Sequence, residues 1–215
     1  MSATTVQDTL IKQLRSDTNM AAAWDDTLTG TFTFTSASAI VAGVGTLFTT
    51  ELAVKDYIYA PTAAKWLRIK SIESDLSLTL YSNFTDTTEP GVASKVTNIR
   101  KGIPRNLRIG EMGKSIGVYR MLGNYSQTTL PHKNQTAIYP FLVVGKFYEP
   151  DEDEAENRKD TYEDLMRRAI EKNLLMDGLL FNSRIGDTRF YIHAMEPGVY
   201  YIAIPFVAHE KKTIG

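Results

Sequence analysis

Residues 137–178 read AIYPFLVVGKFY-EPDEDEAE-NRKDTYEDLMRRAIEKNLLMDG, and this stretch decides the fold. Its first part, residues 137–148, is nearly all apolar or β-branched and reads as a buried strand. Six acids follow: Glu149, Asp151, Glu152, Asp153, Glu154 and Glu156. Behind them, residues 156–177 place Tyr162, Leu165, Met166, Ala169, Ile170 and Leu174 on one helical face. Glu163 with Arg167 and Asp164 with Arg168 stand four apart in the favourable order. Acids before the helix and bases toward its end complement the helix dipole, and Gly178 supplies a stop. A strand leading through a charged turn into an amphipathic helix implies a helix-backed sheet.

Working outward, residues 4–24 predict a first helix, with Val6, Leu10, Ile11 and Leu14 at helical spacing and Gln7, Lys12, Gln13 and Arg15 facing water. Residues 27–98 change character to Thr, Ser and Val in short alternating runs. GTFTFTSAS, SAIVAGVGTLF, DYIYAP, KWLRIKSIES and LSLTLYSNF each read as a strand of a small barrel or sandwich. Gly43 and Gly45 inside that pattern point to a bulge or a close backbone approach. Residues 86–94 read as an exit linker, 114–121 as a strand, and 122–136 as a long loop. Pro140 is expected near a strand start or at an edge. A terminal hairpin is predicted from 188–194 and 199–208 around Glu196-Pro197-Gly198, with a loose basic tail behind it. The fold class is therefore α+β: a discontinuous main domain, 1–26 plus 99–215, with an all-β module, 27–98, inserted in it.

Composition is that of an ordinary globular protein, with 43% hydrophobic residues, 23% charged residues and a net charge of −1. That balance excludes a globally basic binder of nucleic acid or membranes. The absence of cysteine removes disulfides, thiolate metal sites and a cysteine nucleophile, and suits a reducing compartment. The N-terminal residues lack a signal-peptide pattern, and no apolar run approaches the ~20 residues of a membrane helix.

Motifs for catalysis are missing. The spacing of Asp151 and Asp153 starts like a calcium loop, but Ala155 and Glu156 fall where a ligand and a glycine belong. His132, His193 and His209 have no metal-site spacing, although the last two fall on the strands of the proposed hairpin. GVGT lacks the lysine of a phosphate loop, and no GxSxG elbow occurs. We therefore expect no enzyme and no cofactor. Tyr57, Tyr59, Trp66 and Tyr81 have two readings, a β-core or a surface that stacks on sugars.

Charge is distributed unevenly. Residues 99–148 carry eight Lys/Arg against the single acid Glu111, and the six acids of 149–156 come next. That layout suits head-to-tail contacts between identical subunits, with Arg100, Arg105, Arg108 and Lys114 facing Asp151, Glu152, Asp153 and Glu154 of a neighbour. Contact of the basic stretch with a DNA backbone is the alternative.

The order of first helix, strand 137–148, acidic turn, helix and terminal hairpin resembles the tail terminator family of tailed bacteriophages. The run AIVAGVGTLFTTEL…DYIY…WLRIKSIESDLSLTLYSNF resembles a β-module of phage tail and neck proteins. The resemblance implies a structural virion protein, assembled in the host cytoplasm, that forms a ring (a hexamer in that family). It further implies that the ring closes the tail tube and joins it to the neck or head–tail connector, with DNA passing through the lumen. The insertion departs from the usual shorter terminator. It leaves room for a neck or collar adaptor, or for a tail-associated protein that binds carbohydrate through the module.

Overall fold

The computed structural model describes residues 3–102, 114–121, 125–128, 134–174, 176, 180, 182–192 and 197–213. The chain divides into two compact units, one made of Met1–Trp24 with Ile99–Gly215 and the other of Asp25–Asn98. Both contain extensive antiparallel sheet, and helices back the sheet of the first, so the class is α+β.

The chain begins with α1 (Ala3–Ser16) and α2 (Thr18–Trp24). The single helix expected over 4–24 is thus broken at Asp17. Its Oδ1 accepts from the N–H groups of Asn19 and Met20, at 3.0 and 3.1 Å, and so caps a new helix. Lys172 Nζ donates to the other oxygen at 2.6 Å. The polar side of α1 also differs from expectation. Gln7 is buried and donates to the Val118 carbonyl at 2.6 Å, Gln13 reaches the carbonyls of Ala169 and Ile170, and Arg15 donates to that of Ile99. Of the four residues expected to face water, Lys12 is the exposed one.

The second unit runs through β1 (Asp25–Thr27), β2 (Thr31–Phe34), β3 (Ile40–Val44), the short α3 (Phe48–Glu51), β4 (Tyr57–Ala60), β5 (Lys65–Ser74), β6 (Ser77–Leu80), β7 (Glu89–Val92) and β8 (Lys95–Thr97). They form one sheet in the order β1-β8-β4-β5-β6-β3-β2-β7, curled around a core of Phe32, Phe34, Val41, Phe48, Ile58, Ile69, Leu78, Leu80 and Phe84. The expected exit linker contributes a strand, because Glu89 and Val92 pair with Phe34 and Phe32. Glu89 is itself buried, where it accepts from the N–H groups of Thr62 and Ala63. Gly43 is a close approach: a Cβ there would overlap the Thr46 hydroxyl and the Phe48 ring. Gly45, by contrast, has open space and a φ of +66°, which favours glycine. Entry and exit strands pair with each other, Asp25 opposite Thr97, so the chain leaves the unit beside the place where it entered.

The first unit resumes with β9 (Ile99–Lys101), β10 (Lys114–Arg120), β11 (Tyr125–Thr128), β12 (Asn134–Tyr148), α4 (Glu152–Glu171), β13 (Asn182–Ile185), β14 (Arg189–Ile192) and β15 (Val199–Thr213). Its spine is the 15-residue pair β12 and β15, in register from Asn134↔Thr213 to Tyr148↔Val199. The tail read as loose is therefore paired through Thr213. Flanking strands share the two edges of this ribbon. On one side β10 pairs with Phe141–Phe147 and β11 with Gln135–Ile138, so part of the expected loop is strand. On the other side β13 pairs with Phe206–His209 and β14 with Tyr200–Ala203.

Pro140 lies inside β12 rather than near its start, and Pro205 lies inside β15. Each is placed where one flanking strand hands over to the next. Met121 N–H, just past β10, donates to the Pro140 carbonyl at 3.0 Å, and Gly186 N–H, just past β13, donates to that of Pro205 at 2.8 Å. The missing proline N–H therefore points to the gap before the next strand, where the ladder needs no donor.

Phe141, Val143 and Phe147 of β12, with Ile202, Ile204 and Phe206 of β15 and Ile116 and Val118 of β10, form the face on which the helices pack. Met166, Ala169 and Ile170 of α4 and Val6, Leu10 and Leu14 of α1 complete that core, with Tyr162, Leu165 and Leu174 partly buried against it. Gly145 lets Met166 and the Trp24 ring approach the sheet. On the opposite face Ser115, Val144, Lys146 and Ala203 are also buried.

Candidate functional site

The acidic turn is built into α4. Asp151 caps the helix by accepting from Glu154 N–H at 3.0 Å, and Glu152, Asp153 and Glu154 form the first turn, four residues earlier than the sequence suggests. From there most charges on the helix are satisfied within it. Glu154 pairs with Arg158, Glu156 with Lys159, Glu163 with Arg167 and Asp164 with Arg168. Arg158 also reaches Glu149 at 3.0 Å. Glu152 and Asp153, both exposed, form no ion pair among the described residues. The acids surround Tyr200, whose hydroxyl pKa is raised by burial and then by the carboxylates of Glu152, Glu149, Glu156 and Asp151.

Tyr200 connects this patch to β14. The Phe190 ring stacks on it at 5.6 Å and Lys159 Nζ lies 5.2 Å from the Phe190 centroid. Ile192 stands opposite Tyr200 in the register. Beyond β14 no strand pairs among the described residues, and its Tyr191 and Ile192 are 48% and 65% exposed. Edge strands ordinarily carry lysine, proline or a bulge to discourage pairing, and β14 has only Arg189 at its start.

The basic side of the expected contact is less open. Arg100 is half-buried on β9, with its Nε enclosed, and Lys114 is half-buried at the start of β10. Both already interact within the chain. Arg105 and Arg108 lie outside the described residues, as do His132 and His193. His209 is half-buried on β15, opposite Ile138 and Asn182. Among the described residues no three His, Cys, Asp or Glu side chains gather as metal ligands, and no helix is long and apolar enough to cross a membrane.

The second unit carries a different surface. Its four phenylalanines are all fully buried, while Tyr57, Tyr59, Trp66 and Tyr81 are excluded from the core and partly or largely exposed. Of the two readings open at the sequence level, the core is therefore ruled out. Cross-strand pairing sets them in rows, with Tyr59 opposite Trp66 and Tyr57 opposite Arg68. The Tyr59 and Trp66 rings are 4.9 Å apart, and Lys95 Nζ lies 5.2 and 5.4 Å from their centroids. That ammonium is also held at 2.7 Å by Asp25, whose side chain is buried. The Arg68 guanidinium sits 4.7 Å from the Tyr81 centroid and 6.0 Å from that of Tyr57. It is exposed, with no carboxylate partner among the described residues. Lys95 was outside the sequence reading; alternation along β8 places it outward, but its ring partners depend on strand order.

No protein-family model matches this chain, and no curated protein does either.

Proposed function

We propose that the chain is a structural virion subunit that assembles through heterologous contacts into a closed ring ending a phage tail tube and joining it to the neck. The observation that carries this reading is the junction of β14 with the start of α4. The unpaired strand edge with its exposed Tyr191 and Ile192 is joined through Tyr200 to the acidic turn, where the exposed Glu152 and Asp153 form no ion pair among the described residues. Main-chain groups at an open edge provide affinity, apolar side chains provide area, and carboxylates select a basic partner. The strongly basic 99–148 segment of the same chain supplies complementary charge, Arg105 and Arg108 included. A self-complementary charge layout of this kind closes a ring when the rotation between subunits allows it.

Light scattering on the purified protein, with negative-stain images of the same fraction, tests the proposal. A ring of about six copies is expected, alone or on added tail tubes. A monomer that tail tubes fail to assemble would reject it. Glu152→Lys with Asp153→Lys should abolish assembly, and Arg105→Glu with Arg108→Glu should restore it. Assembly that stays lost in the combined variant rejects this pairing of patches.

A further inference from the structure

We propose that the outer face of the 25–98 unit is a saccharide platform for a glycan bearing a carboxylate, a role separate from ring assembly. The first support is the sorting of aromatic side chains. Phe32, Phe34, Phe48 and Phe84 fill the core together with aliphatic residues such as Val41, Ile58, Ile69 and Leu78, and Tyr57, Tyr59, Trp66 and Tyr81 are left out of it. Rings with one apolar face and one polar edge suit a ligand that is itself apolar on one face and hydroxylated around its rim. A pyranose has that shape.

The second support is how the two cations are used. Lys95 is neutralised by Asp25 and lies against Tyr59 and Trp66, so it braces the rings and offers no free charge. Arg68 has no such counter-ion among the described residues, and Tyr57 and Tyr81 lie beside its guanidinium. A guanidinium held beside rings presents a planar fork of donors, which matches a carboxylate in two hydrogen bonds. The face therefore combines a braced stacking surface (Tyr59 and Trp66) with one anion-selective group beside it.

Charge decides between a glycan and single-stranded nucleic acid, which also stacks on aromatic rings. Residues 25–98 carry five Lys/Arg against eight Asp/Glu. A net negative unit with one free guanidinium repels a polyphosphate chain, whose binding depends on many cations releasing counterions. It tolerates a ligand with an isolated carboxylate.

The test uses the full chain on a glycan array holding neutral, uronic-acid and sialic-acid oligosaccharides, with an oligothymidylate spotted beside them. The best-retained acidic glycan and its methyl ester are then titrated by tryptophan fluorescence, which reads Trp66 over the buried Trp24. The acid is expected to bind about tenfold more tightly than the ester. Arg68→Ala should erase that ratio while the ester still binds. Tyr81→Ala should weaken both forms, and since Tyr81 is half-exposed the variant should keep its fold. Retention of no glycan, equal binding of acid and ester, an acid-to-ester ratio unchanged by Arg68→Ala, or preferential retention of oligothymidylate would each overturn the proposal. Particle mass, read separately, distinguishes these outcomes from a failure of ring assembly.

Discussion

The two units use their aromatic residues in opposite ways. The helix-backed unit mixes all three types into its core: Trp24, Phe141, Phe147 and Phe206 are fully buried, and Tyr200 and Tyr139 nearly so. The 25–98 unit sorts them, with every phenylalanine inside and every tyrosine and tryptophan outside. In the first, a helix layer on the sheet makes a core thick enough for large amphipathic rings, and what remains for a partner is backbone edge and charge. In the second, one curled sheet encloses a small core that phenylalanine and aliphatic residues fill, and what remains is a face of side chains. The two surfaces therefore suit different partners.

The sharpest way to break this comparison is to empty each core. Phe34→Ala and Phe206→Ala should each cost about 3–5 kcal/mol. Hydrogen exchange should show lost protection in β2, β3 and β7 for the first, and in β12 and β15 for the second. A uniform loss from either variant would mean that the two cores are not separate. A smaller effect is expected at Gly43→Ala, about 1–3 kcal/mol, since the added methyl meets the Thr46 hydroxyl and the Phe48 ring; thermal melts would read it.

Next comes Asp17, which burial alone would make harder to ionise. Its bonds to Lys172 and to the N–H groups of Met20 and Asn19 outweigh burial and leave its pKa below the ordinary 3.8. The stabilisation is therefore complete above the ordinary value and lost as pH falls through the lower folded value. Asp17→Ala should cost about 1–2 kcal/mol at pH 7. The difference in Tm between wild type and variant should hold down to pH 5 and shrink below 3.8; a difference that persisted unchanged at pH 2 would exclude the ionised cap. At the small end, Arg68→Ala and Tyr81→Ala should each change stability by no more than about 0.5 kcal/mol. A larger loss in either would make the outer face part of the architecture.

The helix face of α4 was legible because its period is local: Met166, Ala169 and Ile170 are buried where spacing put them. The class of the 25–98 segment was legible for the same reason, since alternation and turn residues are local signals. What stayed hidden depends on residues far apart in sequence. Gln13 and Arg15 look like solvent-facing residues of α1, and only the docked sheet and α4 offer them carbonyls at 99, 169 and 170. β7 hides in Glu89-Pro90-Gly91, a turn-like sequence that is strand because β2 lies beside it. The break at Asp17 carried a local signal, an Asp three residues before Met20 with a threonine between, and the apolar spacing masked it. At the candidate surfaces, the acids were legible as a run. Their proximity to β14 was not, because it passes through Tyr200 on the last strand.

Pro140 and Pro205 stand opposite Val207 and Leu142, two steps apart along the same ribbon. At Pro140 the opposite edge of the ribbon still carries β13, whose Arg184 pairs with Val207, and at Pro205 it still carries β10, whose Tyr119 pairs with Leu142. Between them Phe141 and Phe206 are flanked on both edges, by Arg120 and Ile185. The prolines fix where each flanking strand stops, because the N–H that would extend the ladder is missing from the chain. The two handovers are staggered like joints in brickwork: where a strand ends on one edge, the strand on the other edge bridges the break. No seam therefore runs straight across the sheet, and load from a neighbouring subunit passes along an unbroken spine.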